Sequence, residues 1–209
     1  MHFILASSSP RRRELLRQAG FDFEVRPSVI VEKIRRGELP EEFVRRAASE
    51  KALQVAVSSP PGSFVLGADT VVVIDGETLG KPSDREDATR MLRLLSGRTH
   101  QVHTGISLVR APDEIEALKH ETTLVTFREL DEDEIRNYVE SGEPLDKAGA
   151  YAVQGLASKF VTRISGCYFN IVGLPVALLY EILKPFIKAE GRKQQALGSR
   201  GNPGGVHTE

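Results

Sequence analysis

The stretch Phe64-Val65-Leu66-Gly67-Ala68-Asp69-Thr70-Val71-Val72-Val73-Ile74 is apolar throughout except for Asp69 and Thr70. A nearly unbroken apolar run is typical of a central strand covered on both faces, because a half-exposed strand alternates polar and apolar residues. Asp75-Gly76 follows directly and predicts a hairpin turn. The stretch therefore predicts a buried strand with one carboxylate inside it.

Helices and strands are predicted on both sides of this stretch. Before it, the patterns predict a strand over Met1–Ala6, a helix over Arg11–Ala19, a half-buried strand over Phe21–Val25 and a helix over Glu41–Val57. After it, they predict a helix opened by a Ser83/Glu86 capping box, strands over His100–Arg110 and Ala117–Leu130, a helix opened by Asp131 and Glu134, short strands over Tyr151–Gln154 and Phe160–Ile164, and a last helix from Pro175. This order predicts an α/β domain with a twisted, mixed sheet flanked by helices.

Composition argues against several classes of protein. The 209 residues are 40% hydrophobic with a formal net charge of -1, so the basic excess of a general nucleic-acid binder is missing. Cys167 is the only cysteine, which excludes an internal disulfide and favours a reducing compartment. No signal peptide or membrane span is recognisable, so a cytoplasmic protein is expected. Residues 190–209 are expected to form a disordered tail after one folded domain, residues 1–189.

The first candidate site lies where the first strand leads into the first helix. Ser9 suits the N-cap and Pro10 the first helical position. Arg11, Arg12 and Arg13 then fall in the turn least suited to cations. A bound anion would reverse that cost, because backbone N–H groups, serine hydroxyls and guanidinium groups would converge on it. The alternative is a solvated helix start whose arginines face water.

The second candidate site is Asp69 with Thr70. A carboxylate inside an apolar strand is costly unless it is paired, bound to a metal or at the edge of the sheet. Such a group could orient and deprotonate a water, or hold Mg²⁺ or Mn²⁺ against a triphosphate. A structural aspartate hydrogen-bonded to a turn fits the residues equally well.

Two lysines are weaker candidates when taken alone. Lys81 lies in a Gly-Lys-Pro turn, but no Ser or Thr follows it and the glycine spacing is not that of a Walker A loop. An ordinary turn lysine is the simpler interpretation. Lys51 follows Glu50 on the second predicted helix, where a solvated face is expected.

The segment Glu143–Gly155, which includes Asp146 and Lys147, combines charged residues, glycines and a glutamine. Loops on a rigid sheet often hold binding groups, and Gln154 could read a base edge because its amide both donates and accepts. A plain polar connection is the alternative.

Other chemistries find little support. The sequence has no G-x-S-x-G elbow and no G-x-G-x-x-G fingerprint. His100 and His103 are three residues apart on a predicted strand and should face opposite sides, which makes a poor metal pair. Cys167 is interpreted as a small buried residue rather than a nucleophile.

Together, six segments resemble the Maf family of nucleoside triphosphate pyrophosphatases. They occur in the family's order from Leu5 to about Phe186 and are Leu5-Ala6-Ser7-Ser8-Ser9-Pro10-Arg11-Arg12, Gly67-Ala68-Asp69-Thr70-Val71-Val72, Gly80-Lys81-Pro82, Leu95-Ser96-Gly97-Arg98, Asp146-Lys147-Ala148-Gly149-Ala150-Tyr151 and Val172-Gly173-Leu174-Pro175. One such segment would be a weak signal, and six in register are specific.

The resemblance implies hydrolysis of a nucleoside triphosphate to monophosphate and pyrophosphate with a divalent cation, Mg or Mn, in a cleft between two lobes. It implies that Asp69 is the proton acceptor and, with Glu32, holds the metal. Base-selecting positions are matched by Arg11, Thr70 and Gln154. The phosphate-binding residues are then Ser7, Ser9, Arg12, Lys51 and Lys81, with Asp146 and Lys147 elsewhere in the pocket. Family members are cytoplasmic and often dimeric, so a homodimer is expected.

The segment from Asp146 to Tyr151, followed by Gln154-Gly155, is similar to the branch that acts on dTTP and UTP, and modified pyrimidine nucleotides are further candidates. Ala152-Val153 stands where Gly-Ile is usual. Two alternatives stay open. One is the same chemistry on 7-methyl-GTP, whose branch lacks this Lys and Gln arrangement. The other is a nucleotide-binding regulator of cell division and septum formation that needs no turnover.

Overall fold

Seven strands form one mixed sheet in the computed structural model, which describes residues 1–198, with side chains to Ala189. The strands are β1 (Phe3–Leu5), β2 (Glu24–Val25), β3 (Phe64–Ile74), β4 (Glu77–Leu79), β5 (Thr99–Arg110), β6 (Glu114–Phe127) and β7 (Val161–Ser165). Their order is β2-β1-β3-β5-β6-β7, and β4 pairs with β3. Strand β1 runs parallel to β2 and β3, while the other pairs are antiparallel. The predicted mixed sheet is confirmed.

Helices flank this sheet, as predicted. They are α1 (Pro10–Gln18), α2 (Pro40–Ala56), α3 (Arg85–Leu95), α4 (Glu132–Glu140), α5 (Tyr168–Val172) and α6 (Val176–Gly198). Short 3-10 turns cover Glu143–Asp146, Ala148–Ala150 and Leu156–Phe160. Among the residues described, no helix has the length and apolar character needed to cross a membrane.

Strand β3 is covered on both faces, as its sequence predicts. Helix α2 rests directly on one face, since a Cβ at Gly67 would lie 2.0 Å from the carbonyl oxygen of Ala48. A Cβ at Gly105 on β5 would lie 2.2 Å from the carbonyl oxygen of Val44. The opposite face forms the main core with side chains from α1, α3, α4 and α6. Because side chains alternate along a strand, Asp69 falls on the same face as Gly67, against α2.

The hairpin at Asp75-Gly76 is confirmed, with both residues at positive φ. Asp131 caps α4 as predicted, in a capping box with Glu134. The capping residue of α3 is Asp84 rather than Ser83, because the Asp84 side chain accepts from the N–H of Asp87. The half-buried strand predicted over Phe21–Val25 pairs only at its end, over Glu24–Val25.

The strand predicted over Tyr151–Gln154 is wrong. Among residues 1–198, no strand pairs with it. The Ala152 N–H donates to the Tyr138 hydroxyl, and the Gly155 N–H closes a turn onto the carbonyl oxygen of Ala152. The helix that begins at Val176 continues to Gly198, into the segment predicted as a disordered tail from Glu190. Residues 199–209 of that predicted tail lie outside the described residues.

Candidate active site

A cavity of about 550 Å³ opens where β1 leads into α1. Arg13 of the first candidate site does not line it, but all the site residues that the resemblance implies do, namely Ser7, Ser9, Arg11, Arg12, Glu32, Lys51, Asp69, Thr70, Lys81, Asp146, Lys147 and Gln154. These residues come from distant parts of the chain. The fold therefore brings the predicted site together in one place, although the role of each residue stays a prediction.

The start of α1 forms one wall of the cavity. Ser9 is the N-cap, and its hydroxyl accepts from the N–H of Arg12 at 3.4 Å. The N–H of Ser9 donates to the Ser7 hydroxyl at 3.2 Å. No acidic residue lies in the first turn, so the positive end of the helix dipole and the following arginines are not neutralised within that turn. This wall suits an anion.

Arg12 ties three elements together at the floor of the cavity. Its Nε donates to the carbonyl oxygen of Gly173 at 2.8 Å, its Nη1 to Ser7 at 3.2 Å and its Nη2 to Thr70 at 3.0 Å. Burial lowers the pKa of Arg12, and the charges of Asp69 and Glu32 oppose that shift. Besides adding positive charge, Arg12 therefore fixes the positions of its neighbours.

Lys51 lies between two carboxylates. Its ammonium is 2.6 Å from Oδ1 of Asp69 and also forms a close ion pair with Glu32. The solvated face expected for Lys51 is wrong: only 7% of the residue is exposed, because this side of α2 packs against β3. The sequence around Lys51 carries no sign of that packing, which depends on a glycine in a distant strand.

Asp69 is also buried, with 4% of its surface exposed. Burial raises the pKa of its carboxyl above the usual range, and the Lys51 ammonium acts in the opposite direction. Burial alone would raise the pKa of Glu32 as well, but its contacts with Lys51 hold that pKa below its usual value. Within the described residues, Oδ2 of Asp69 has no hydrogen-bond partner although it is buried.

The donor set fits a divalent cation that is bound jointly with a ligand. Among the described residues, no group of three or more histidine, cysteine or acidic side chains could hold a metal ion. Mg²⁺ is commonly held by only one or two carboxylates together with phosphate oxygens and water. Asp69, with one unpartnered oxygen, and Glu32 supply that number.

The opposite wall consists of the segment after α4. Asp146 lies 3.6 Å from Arg11 of α1 and pairs closely with Lys147, whose Nζ also donates to the carbonyl oxygen of Glu143 at 3.2 Å. The turn that carries Lys81 is attached to this wall, since the Gly149 N–H donates to the carbonyl oxygen of Gly80 at 3.0 Å. The wall thus combines charged groups with a fixed backbone.

Two side chains behind this wall had no predicted role. Glu143 accepts from the Leu156 N–H through both carboxylate oxygens, at 3.0 and 3.1 Å, and from the Tyr138 hydroxyl at 2.9 Å. The Tyr138 hydroxyl in turn accepts from the Ala152 N–H at 3.2 Å. Together they hold both ends of the turn that carries Gln154. Glu143 lay in the segment singled out by sequence, but nothing in its pattern indicated this contact.

The two central histidines face opposite sides of the sheet, as predicted. The His100 ring contacts the Tyr151 hydroxyl at 2.8 Å in the core, whereas His103 contacts Gln101 and Thr122. Burial lowers the pKa of His100 to about 4. Cys167 is only partly buried.

Known proteins resemble this chain in sequence over most of its length. The sequence profile of the family described as Maf-like protein matches residues 2–186. A relative from Symbiobacterium thermophilum, named dTTP/UTP pyrophosphatase, is 52% identical over 183 residues, which cover 88% of this chain and 93% of that one. A relative of the same name from Koribacter versatilis is 50% identical over 184 residues, 88% of this chain and 94% of the other.

One solved structure, a nucleoside-triphosphatase / dITP/XTP pyrophosphatase from Mycobacterium abscessus, is 15% identical and covers 62% of this chain and 76% of its own. Its TM-score of 0.39 is too low to support a conclusion about this chain.

Proposed function

Because the chain belongs to the family of Maf-like proteins, we propose that it is a nucleoside triphosphate pyrophosphatase that hydrolyses dTTP and UTP to the monophosphate and pyrophosphate. The observation that carries the proposal is the buried Asp69 carboxylate, one oxygen of which has no hydrogen-bond partner in the described part of the chain and lies in a cavity with cationic walls. A purely structural aspartate would be expected to have both oxygens satisfied.

Asp69 is the proton acceptor in this proposal. Its Oδ1 is held by Lys51, so Oδ2 is the oxygen left to orient a water and take its proton. Burial raises the pKa of the carboxyl and makes it a stronger base than an ordinary aspartate, while Lys51 keeps the ionised form accessible. The attack is on the α-phosphorus, and pyrophosphate leaves.

The cationic walls bind the triphosphate. Lys81 approaches from the turn after β4, while Arg11 and the N-terminus of α1 lie across the cavity. Guanidinium and ammonium groups neutralise the phosphate charge, and most of the catalytic gain comes from positioning and charge stabilisation. Ser7 and Ser9 supply hydroxyl groups on the same wall.

Asp69 and Glu32 would hold Mg²⁺ or Mn²⁺ when the nucleotide is bound. A divalent cation there supplies charge neutralisation for the phosphate oxygens. Because Lys51 pairs with both carboxylates, its ammonium offsets part of their negative charge before the nucleotide arrives.

A substrate panel tests this proposal. The purified protein is given dTTP, UTP, dCTP, dGTP and 7-methyl-GTP with Mg²⁺, and kcat/KM is measured for each. We expect dTTP and UTP to rank first. A preference for 7-methyl-GTP would support the same chemistry on another base, while tight binding without hydrolysis of any nucleotide would support the regulator. The homodimer stays a prediction that sedimentation of the intact protein can test.

A further inference from the structure

A chain of hydrogen bonds runs from the cavity into the sheet through Thr70. Its hydroxyl lies 3.0 Å from Nη2 of Arg12 and 3.0 Å from the hydroxyl of Thr104 on β5. Thr104 is fully buried, and its hydroxyl lies 2.9 Å from the carbonyl oxygen of Asn170 in α5. Thr70 is only partly buried and lines the cavity.

The groups at the two ends of this hydrogen-bond series determine which atom donates in each of its bonds. A guanidinium only donates and a carbonyl oxygen only accepts, whereas a hydroxyl has a single proton. Arg12 therefore donates to Thr70, and Thr104 donates to Asn170. With its proton used, Thr104 can only accept, so Thr70 must donate to Thr104.

The reverse direction is unfavourable. If Thr104 donated to Thr70, its oxygen would face the carbonyl oxygen of Asn170 at 2.9 Å with no proton between them. That carbonyl oxygen also accepts from the N–H of Gly173 at 3.0 Å, so the cost of the reverse direction is the repulsion between the lone pairs of the two facing oxygens. The hydroxyl proton of Thr70 is thus donated to Thr104. Toward the cavity, the Thr70 hydroxyl can therefore only accept a hydrogen bond.

We propose that Thr104 is a positioning residue that makes Thr70 a hydrogen-bond acceptor for the N3–H of thymine or uracil. This inference rests on the proposed function and adds to it the basis of base selection. The bases of dTTP and UTP share a protonated N3, whereas N3 of cytosine is itself an acceptor. The sugar does not explain a preference for dTTP over dCTP, because both nucleotides carry deoxyribose.

The test compares kcat/KM for dTTP and dCTP in the wild type and in Thr104→Val and Thr104→Ser. Valine has the shape of threonine but cannot accept a hydrogen bond, so the proton of Thr70 is released and can be donated to cytosine. The dTTP:dCTP ratio should fall about tenfold, which is the size of one hydrogen-bond mismatch. Thr104→Ser keeps the hydroxyl and should keep the ratio.

Thr123→Val is the matched control. Thr123 lies on the adjacent strand β6 and is as buried as Thr104. Its hydroxyl accepts from Nδ2 of the same Asn170 at 3.0 Å and does not contact Thr70. Its loss should leave the ratio unchanged. An unchanged ratio in folded Thr104→Val, or an equal fall in Thr123→Val, overturns the inference.

A second probe needs no variant. N3-methyl-dTTP lacks the donor, and wild-type protein should hydrolyse it at least tenfold less efficiently than dTTP; equal efficiency overturns the inference. Failure of the proposed function gives a different result, because the wild type would then hydrolyse neither dTTP nor UTP.

Discussion

The ammonium nitrogen of Lys51 lies 2.6 Å from Oδ1 of Asp69, and both side chains are buried. The pair spans α2 and β3, which pack closely at Gly67. Lys51 thereby fixes the carboxylate with one oxygen engaged and leaves Oδ2 without a partner among the described residues. Packing of a helix on a strand thus presents a single basic oxygen to the cavity.

Asp69→Asn should lower kcat for dTTP at least about 100-fold, because an amide cannot accept the proton of the attacking water. Nucleotide affinity, measured by calorimetry without a divalent cation, should change little, since the cationic groups remain. Asp133→Asn is the matched control, because Asp133 is exposed on α4 and should tolerate the same change. Full hydrolysis by Asp69→Asn would show that another group is the base.

Removal of divalent cations should stop hydrolysis. Dialysis against a chelator removes the ion that Glu32 and Asp69 would hold with the triphosphate, and added Mg²⁺ or Mn²⁺ should restore the rate. Glu32→Gln should raise the Mg²⁺ concentration needed for half-maximal rate, since one of two carboxylates is lost. A rate that persists in chelator, or an unaltered Mg²⁺ requirement in Glu32→Gln, would contradict this role.

Tyr138→Phe and Glu143→Gln should raise KM for dTTP. Tyr138→Phe removes the acceptor of the Ala152 N–H, and Glu143→Gln weakens the contact with the Leu156 N–H, so the turn carrying Gln154 loosens. The expected rise is about 2- to 10-fold, the value of one net hydrogen bond, with a smaller change in kcat. Tyr180→Phe on α6 serves as control, because Tyr180 is exposed. Unchanged KM in both variants would exclude the turn from base binding.

Stability should depend on pH through His100. Burial lowers its pKa from 6.5 to about 4, so the folded protein holds this ring neutral while the unfolded chain protonates it. The neutral His100 ring therefore contributes fully to the free energy of unfolding above pH 6.5. This contribution, up to about 3 kcal/mol, is lost as the pH falls from 6.5 toward 4. Urea unfolding of His100→Gln should therefore show a weaker loss over this range than the wild type. Parallel pH curves would contradict the shift.

The sequence predicts β3 well because its unbroken apolar run shows, within the strand itself, that both faces are covered. It predicts Tyr151–Gln154 wrongly, because tyrosine and valine favour strands but nothing nearby tells whether a partner strand is available. The hydrogen bond from Ala152 to Tyr138 is a tertiary contact, which the local sequence pattern cannot predict.

Site residues follow the same division. Asp69 is conspicuous because a carboxylate in an apolar strand breaks the pattern around it. Lys51 is hidden, since a lysine beside Glu50 on a helix looks solvated until α2 is placed on the sheet. Thr104 is hidden more completely, because threonine is common in strands and its partner Asn170 is distant in the chain.

Hydrolysis of dTTP in ¹⁸O-labelled water tests most directly whether water attacks the α-phosphorus, the step that the proposed mechanism assigns to the water oriented by Asp69. Mass spectrometry of the products should find dTMP and pyrophosphate, with one labelled oxygen in dTMP and none in pyrophosphate. Label in pyrophosphate would place the attack on the β-phosphorus. Release of orthophosphate and dTDP would place it on the γ-phosphorus, and either result would contradict the assignment.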